Sequence, residues 1–182
     1  MNTQDFTNPK QINVLVTFTD ITGFTRMMKE DTNTENFSLI NQIFDIIGNH
    51  VKSSNGRIIK YIGDSVLLIH DYVHLNEGIK AIYNMKIEVD SFFEKKSMPN
   101  RLGIKSHVGE VIAGLLGHKD SQVFDILGDT VNYTALLGKD APSNFNSKFM
   151  ISVEAFRSLD KETRKLFHKY TPPIYYVGEV IR

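Results

Sequence analysis

Apolar and polar positions alternate along the chain in a way that predicts strands and helices in turn. The apolar run at residues 12–18 predicts a buried strand, and residues 34–54 predict an amphipathic helix that begins at Thr34. The predicted apolar side of this helix consists of Phe37, Ile40, Ile43, Phe44 and Ile47. Residues 56–70 predict two strands joined by a tight turn at Ile62 and Gly63.

The second half of the chain continues this alternation. Residues 75–95 predict a second amphipathic helix. Its apolar side consists of Ile79, Ile82, Tyr83, Met85 and Val89. Two strands are predicted next, at residues 102–117 and 122–127, followed by a short helix at residues 129–137. The pattern then predicts a strand at residues 148–152, a longer helix at residues 153–167, and a closing strand at residues 174–180 after Pro172 and Pro173.

The order βαββαβ, with hairpins between sequential strands, predicts an α+β fold. We expect a ferredoxin-like core in which helices pack on one face of an antiparallel sheet, followed by an extra C-terminal helix and strand. No internal repeat, low-complexity tract or linker interrupts the pattern, so residues 1–182 are predicted to form a single domain. Because this architecture serves many unrelated functions, the function must be inferred from the residues of a site.

Composition and charge narrow the class of protein. The chain has 182 residues, of which 41% are hydrophobic, and this suits one globular domain with a sizeable core. Its 21 Lys and Arg balance 21 Asp and Glu, so no long-range field favours nucleic acid or a membrane surface as a partner. Cysteine is absent, which excludes disulfides and cysteine-based zinc sites. With no apolar run of about 18 residues, we expect a cytoplasmic protein.

Two carboxylates stand where the predicted strands end. Asp20 closes the first strand pattern, and Asp64 follows the turn of the hairpin, so we expect them to lie side by side at one edge of the sheet. Adjacent carboxylates repel each other unless a cation lies between them, and oxygen ligands suit Mg²⁺ or Mn²⁺. Gly23 allows close backbone approach, and the helix start at Phe24 and Thr25 offers free N–H groups to phosphate. The pair therefore predicts a metal and phosphate site, although a helix cap or a turn explains either Asp alone.

Four motifs, in this order, resemble the catalytic domain of the class III nucleotidyl cyclases: FTDITGFT, IIKYIGDSVLLI, HVGEVIAGLLG and FDILGDTVN. The resemblance covers roughly residues 12–160. It implies that Asp20, Asp64 and the backbone carbonyl of Ile21 bind two divalent ions, Mg²⁺ or Mn²⁺. The implied reaction is attack of the ribose 3′-hydroxyl on the α-phosphorus of a nucleoside triphosphate, with release of pyrophosphate.

Lys60 and Asp125 match the positions at which this family reads the base. A lysine donates to adenine N1 and a carboxylate accepts from the 6-amino group, whereas the guanylate cyclases of the family typically have Glu and Cys there. The resemblance therefore implies ATP as the substrate and 3′,5′-cyclic AMP as the product. Outside this framework, the simpler interpretation is a solvated strand lysine and a surface acid.

The resemblance also implies a head-to-tail homodimer with two catalytic sites. One subunit contributes the metal-binding aspartates, and the other contributes Lys60, Asp125 and Asn132. Because this chain holds both sets, a homodimer is expected to be active and a monomer inactive. A heterodimer and a regulatory partner remain open alternatives.

The chain departs from the family at Leu136. The family has an arginine there, four residues after the position of Asn132, which stabilises charge on the transferring phosphoryl group; loss of one such donor commonly costs about 10²- to 10³-fold in rate. The family's late phosphate-binding lysine is not evident either, and Lys139 and Lys169 are only loose candidates for these roles. Two functions therefore stay open: an adenylate cyclase that is slow or needs an activator, and a degenerate cyclase domain that binds nucleotide or a partner and regulates without turnover.

Three other features are predicted to be structural. His107 is expected to be a hydrogen-bonded strand histidine, and Asp129 is expected to cap the short helix. Phe92 and Phe93 are expected to lie in the core or on a dimer surface.

Overall fold

A computed structural model describes residues 8–29, 32–170 and 175–178. The strands are β1 (Lys10–Ile21), β2 (Arg57–Ile62), β3 (Ser65–Asp71), β4 (Leu102–Leu116), β5 (Val123–Leu127), β6 (Phe149–Ile151), β7 (Phe167–Tyr170) and β8 (Tyr175–Gly178). The helices are α1 (Phe24–Met27), α2 (Asn33–Ser53), α3 (Leu75–Lys95), α4 (Asp129–Leu136), α5 (Val153–Ser158) and α6 (Lys161–Arg164). Short 3₁₀ turns occur at Tyr72–His74 and Ser143–Phe145.

The strands form one sheet in the order β2-β3-β1-β4-β6-β8-β7, with β5 paired to β4 as a hairpin. Neighbouring strands are antiparallel except β4 and β6, which are parallel. The predicted α+β fold with an antiparallel sheet is confirmed. In the described part of the chain, no helix is both long and apolar enough to cross a membrane.

Both faces of the sheet are covered, which explains why β1 is a continuous apolar run. Leu15 belongs to the large core with Ile43 of α2, whereas Val14 and Val16 belong to a smaller core on the other face. Val131 of α4 packs against this second core. The expectation that the helices share one face is therefore wrong for α4, which covers the face opposite α2 and α3.

Helix α2 begins one residue earlier than its periodicity suggests. The Thr32 side chain accepts the Glu35 N–H and the Glu35 side chain accepts the Thr32 N–H, which is a capping box. The helix therefore begins at Asn33 and not at Thr34. Phe37 is 73% exposed, so its assignment to the buried side was also wrong. Helix α3 has the predicted bounds.

The β2–β3 hairpin turns one residue later than predicted. Ile62 pairs with Ser65, so Gly63 and Asp64 form the two-residue turn. Gly63 has a φ of 63°, a left-handed conformation that glycine adopts without strain. Asp64 thus lies within the turn and not after it.

The segment 153–167 forms two short helices instead of the one predicted. Leu159 is extended between them, and the Asp160 side chain accepts the Thr163 N–H at 2.7 Å, which begins a new helix. The chain then forms β7, a strand that the sequence pattern did not indicate, against β8. The closing strand is observed at Tyr175–Gly178, and Pro172 and Pro173 lie outside the described residues.

His70 on β3 is a buried histidine that makes the fold sensitive to acid. Its side chain is 1% exposed, and its Nε2 forms a 2.8 Å hydrogen bond with Ser54 Oγ. A Cβ at Gly56 would lie 2.5 Å from this ring, and one at Gly78 would lie 2.7 Å from it, so both glycines make room for the imidazole. Burial lowers the pKa of His70 from 6.5 to about 4.

We expect His70 to lower the stability of the fold as the pH falls from neutral. The unfolded chain takes up a proton near pH 6.5 and the folded chain only near about pH 4, so the unfolding free energy decreases across this window. The decrease from about pH 7 to about pH 5 should be smaller in His70→Gln by about 2 kcal/mol. Urea unfolding at the two pH values measures this, and an equal decrease in both proteins would contradict it.

Candidate active site

Asp20 and Asp64 meet at one end of the β1–β3 pair, as the sequence predicts. Because Thr19 pairs with Val66, the β2–β3 turn lies beside the end of β1. The Ile21 N–H donates to Asp64 Oδ2 at 3.0 Å, and Ser65 Oγ donates to Asp20 Oδ1 at 2.7 Å. Two hydrogen bonds therefore hold the two carboxylates at adjacent positions.

The surroundings of this pair favour a bound cation. Burial raises the pKa of Asp64; the Ile21 N–H opposes this effect, and the neighbouring Asp20 adds to it. Within the described residues, no group of three or more His, Asp or Glu is placed to bind a metal. Mg²⁺ is commonly held by one or two carboxylates, with its remaining ligands from water and substrate phosphates. The donor set of Asp20 and Asp64, with Ile21 adjacent, fits such an ion.

The loop after Asp20 turns sharply into α1. Gly23 has a φ of 70°, and its carbonyl accepts the N–H groups of Arg26 and Met27. This left-handed conformation explains why a glycine stands there. The helix that begins at Phe24 is a single turn, and the role of Gly23, Phe24 and Thr25 in phosphate binding remains a prediction.

A cavity of about 750 Å³, which we call the Asp20 cavity, opens beside these residues. Its walls include Asp20, Ile21 and Gly23, the neighbouring residues Arg101 and Lys105, and the loop at residues 143–147. The sequence reasoning missed Arg101 and Lys105. Lys105 is on β4, which pairs with β1, and Arg101 directly precedes β4 and donates its N–H to the Thr22 hydroxyl, so the pairing of these strands places both near Asp20.

Lys60 and Asp125 also meet, although 64 residues separate them along the chain. Lys60 Nζ on β2 lies 2.6 Å from Asp125 Oδ2 on β5, and Asp125 Oδ1 accepts the Ile126 N–H at 2.8 Å. The Arg57 guanidinium lies 3.8 Å from the centre of the Phe124 ring and joins the same two strands. Lys60 and Asp125 are not among the residues that line the Asp20 cavity. The two predicted groups are therefore separate within one chain.

Asn132 and Leu136 lie on one side of α4, because positions four apart share a helix face. Both side chains are exposed, and Leu136 is 60% exposed. Helix α4 ends at Leu136, and Gly138 follows with a φ of 78°. Lys139 is therefore outside the helix, exposed to solvent. Lys169 is an exposed residue of β7.

The features predicted to be structural have ordinary partners, with one correction. His107 Nδ1 forms a 2.7 Å hydrogen bond with Ser152 Oγ, which confirms the strand histidine. Phe93 is fully buried and Phe92 packs against the same core, so both belong to the core. The expectation that Asp129 caps α4 is wrong: Gly128 is the N-cap residue and Asp129 is the first residue of the helix.

Comparison with known proteins identifies the family whose sequence model matches this chain. The sequence model described as "Adenylate and Guanylate cyclase catalytic domain" matches residues 6–172. An adenylate cyclase of Anabaena cylindrica is 25% identical over 152 residues, which cover 79% of this chain and 30% of that protein. The chain thus spans under a third of the length of this relative.

Solved structures share the fold at lower identity. The adenylyl cyclase CyaB from P. aeruginosa superimposes with a TM-score of 0.81 at 16% identity, over 96% of this chain and 98% of that one. The guanylate cyclase domain of RhGC from Catenaria anguillulae, solved in complex with GTP, has a TM-score of 0.77 at 18% identity, over 93% and 98% of the two chains. The likeness extends to structures of both base specificities.

Proposed function

This chain belongs to the family of adenylate and guanylate cyclase catalytic domains, and on that premise we propose that it is an adenylate cyclase. The proposal covers residues 1–182 as one domain, since the family model matches residues 6–172. The reaction converts ATP to 3′,5′-cyclic AMP and pyrophosphate. The ribose O3′ forms a bond to the α-phosphorus as the bond from that phosphorus to the bridging oxygen breaks, pyrophosphate leaves with the electron pair, and the hydroxyl proton passes to solvent.

Asp20 and Asp64, with the Ile21 carbonyl, are proposed to bind two divalent ions, Mg²⁺ or Mn²⁺. Such ions, when bound, increase the acidity of the ribose hydroxyl and neutralise charge on the phosphates. The protein's own contribution is to hold the two carboxylates in place through Ile21 and Ser65, so that the phosphates have a fixed position. Gly23 and the start of α1 are proposed to bind phosphate through the backbone.

The observation that carries the choice of adenine is the contact between Lys60 and Asp125. Their side chains are 43% and 10% exposed, so a base that binds between them meets a lysine donor and a largely buried carboxylate acceptor. Adenine presents the complementary acceptor at N1 and the donor at its 6-amino group, whereas guanine presents the opposite pattern. The entering base must separate Lys60 from Asp125 and replace their mutual contact.

The β4–β5 hairpin supports the proposed head-to-tail homodimer. Its exposed large apolar side chains include Ile112, Leu116, Val123 and Leu127, which the β4–β5 register places on one face of the hairpin. Such a patch on a soluble domain is typical of a protein interface. In this dimer, one subunit gives Asp20 and Asp64 to a site, and the other gives Lys60, Asp125 and Asn132.

Leu136 favours a second candidate function. A domain without a cation at this position, even with its metal and base residues retained, is expected to bind ATP and turn it over slowly or not at all. The alternative is therefore a degenerate cyclase domain that regulates a partner subunit, or a heterodimer whose partner supplies the arginine. Formation of cyclic AMP by the purified protein with Mn²⁺ distinguishes the enzyme from the regulator.

Base preference gives a sharper test of the adenine assignment. We expect wild-type protein to favour ATP over GTP, and we expect Lys60→Glu combined with Asp125→Cys to shift the preference towards GTP. The change inverts the donor and acceptor pattern, and each mismatched buried group costs about 1 to 3 kcal/mol. The ATP-to-GTP affinity ratio, measured by calorimetry, reports the shift.

The matched control for this variant is Lys60→Met combined with Asp125→Leu. It removes both charges and offers guanine neither an acceptor for N1–H nor a donor for O6, so ATP affinity should fall and GTP affinity should not rise. An ATP-to-GTP ratio that is the same in wild type and in the Glu and Cys variant would show that these residues do not read the base.

A further inference from the structure

The Asp20 cavity contains the positive charge that position 136 lacks. Two cationic residues, Arg101 and Lys105, are among those that line the cavity. The four negative charges of ATP need cationic partners besides the metal ions. The inference below rests on the proposed function and concerns which residue of this chain supplies one of these partners.

Lys105 and Asp20 lie on the same face of the sheet. In the β1–β4 pair, Phe18 is opposite Lys105 and Asp20 is opposite Gly103. Directly opposed residues point to the same face, so Lys105 and Asp20 are diagonal neighbours with Cα atoms about 7 to 8 Å apart. A lysine on its flexible four-carbon stem spans this distance to a phosphate held at Asp20.

Gly103 keeps the strand between Asp20 and Lys105 free of side chains. A Cβ at this position would lie 2.0 Å from the carbonyl oxygen of Asn146, so residues larger than glycine do not fit. The Asn146 loop thus packs directly on β4 and forms a wall of the cavity. No side chain of β4 lies between Lys105 and Asp20 on this face, and the space over Gly103 is taken by the Asn146 carbonyl oxygen of the cavity wall.

Arg101 and Lys105 differ in how readily they can give up their present hydrogen bonds for a bond to phosphate. The Arg101 guanidinium binds the Glu94 carboxylate at 3.1 Å and the carbonyls of Asn100 and Met98. Lys105 Nζ donates to the Ala135 carbonyl at 3.1 Å, and within the described residues no carboxylate lies within 4.0 Å of it. A charge-assisted bond to phosphate is stronger than a bond to a neutral carbonyl, so Lys105 gains by moving to a bound nucleotide.

We propose that Lys105 binds the triphosphate of ATP in the Asp20 cavity and takes the place of the arginine that is absent at position 136. Its resting partner, Ala135, immediately precedes Leu136 in α4. The ammonium group leaves this carbonyl when ATP enters and donates to a phosphate oxygen. Lys105 belongs to the same subunit as Asp20, whereas Leu136 of the proposed dimer faces the site from the other subunit.

The test compares the affinity of 3′-deoxy-ATP, which cannot be cyclised, for wild type and variants by calorimetry with Mg²⁺. We expect Lys105→Met, which keeps the length of the side chain and removes its charge, to weaken binding about 10-fold. Lys105→Arg should stay within about 3-fold of wild type, because it retains the charge. Lys161→Met, an exposed lysine on α6 outside the cavity, is the matched control and should bind as wild type.

Several outcomes decide between this inference and the proposed function. Equal affinity of wild type and Lys105→Met for 3′-deoxy-ATP, with cyclic AMP still formed, would overturn the role of Lys105 alone. The same loss in Lys105→Arg as in Lys105→Met would also overturn it, since a merely structural defect does not depend on charge. Wild-type protein that binds no 3′-deoxy-ATP would overturn the proposed function and this role together. Thermal melting and light scattering on each variant show that fold and assembly are retained.

Discussion

Replacement of both Asp20 and Asp64 by Asn is expected to abolish metal-dependent ATP binding and to lower cyclic AMP formation by at least about 10³-fold. The two carboxylates are held side by side by the Ile21 N–H and the Ser65 hydroxyl, and they are the only acids that the proposal assigns to the metal. Asparagine keeps the shape and an acceptor oxygen but carries no charge. Calorimetric titration of 3′-deoxy-ATP with and without Mg²⁺, and a cyclic AMP assay, measure the two effects.

The stability of the Asp20→Asn, Asp64→Asn variant shows whether these two residues serve metal binding or the stability of the fold. Burial, opposed by the Ile21 N–H and assisted by Asp20, raises the pKa of Asp64, so the ionised carboxylate opposes folding at neutral pH. Without metal, the Asn variant should therefore melt at the same temperature as wild type or higher. Asp45→Asn combined with Asp120→Asn, two exposed acids outside the site, is the control. Unchanged metal-dependent affinity in the Asp20 and Asp64 variant would refute the metal site.

Leu136→Arg is expected to raise turnover by about 10- to 100-fold. Residue 136 lies one turn beyond Asn132 on the same face of α4, and its side chain is 60% exposed in the single chain. In the proposed dimer, an arginine there would place a cation where the phosphoryl group acquires charge. The expected gain is smaller than the usual cost of losing this donor, because a guanidinium introduced in place of leucine lacks supporting residues selected to hold it.

Making Leu136→Arg both in wild type and in Lys105→Met tests whether Lys105 supplies part of the missing charge. If Lys105 already supplies part of the missing charge, Leu136→Arg should raise turnover by only about 10-fold in the wild-type background. The increase should be larger when the substitution is made in Lys105→Met. Leu136→Gln, polar but uncharged, is the control and should show no gain. A folded, dimeric Leu136→Arg protein with no increase in cyclic AMP in either background would favour the regulatory alternative. Loss of the dimer would instead place Leu136 in an apolar interface that rejects an unpaired charge.

Strand and turn patterns predicted the juxtaposition of Asp20 and Asp64 because it depends on one local feature, a hairpin packed beside β1. The contact of Lys60 with Asp125 followed from the family resemblance, since it requires the β4–β5 hairpin to fold back over β2. The bounds that were wrong have local causes. A capping box extends α2 to Asn33, and the Asp160 side chain begins a helix inside a segment that has the periodicity of one longer helix.

The sequence pattern could not predict that Arg101 and Lys105 line the Asp20 cavity. Lys105 reads as an ordinary polar residue of an alternating strand, and its relation to Asp20 is a property of the β1–β4 register. That register joins residues more than eighty positions apart, and the loop at residues 143–147 forms another part of the cavity wall. Only the assembled sheet and loop show that Lys105 shares a cavity with the predicted metal site.

Because Asp20 and Lys105 stand on adjacent strands of one sheet, the proposed shared sites have a genetic consequence. A chain with a defective Asp20 and a chain with a defective Lys60 would complement each other when mixed, since one of the two sites in their heterodimer combines an intact Asp20 with an intact Lys60. A chain with a defective Asp20 and a chain with a defective Lys105 would not, because each lesion disables the site on its own side. The two residues would therefore behave as one complementation group, although 84 positions separate them along the chain.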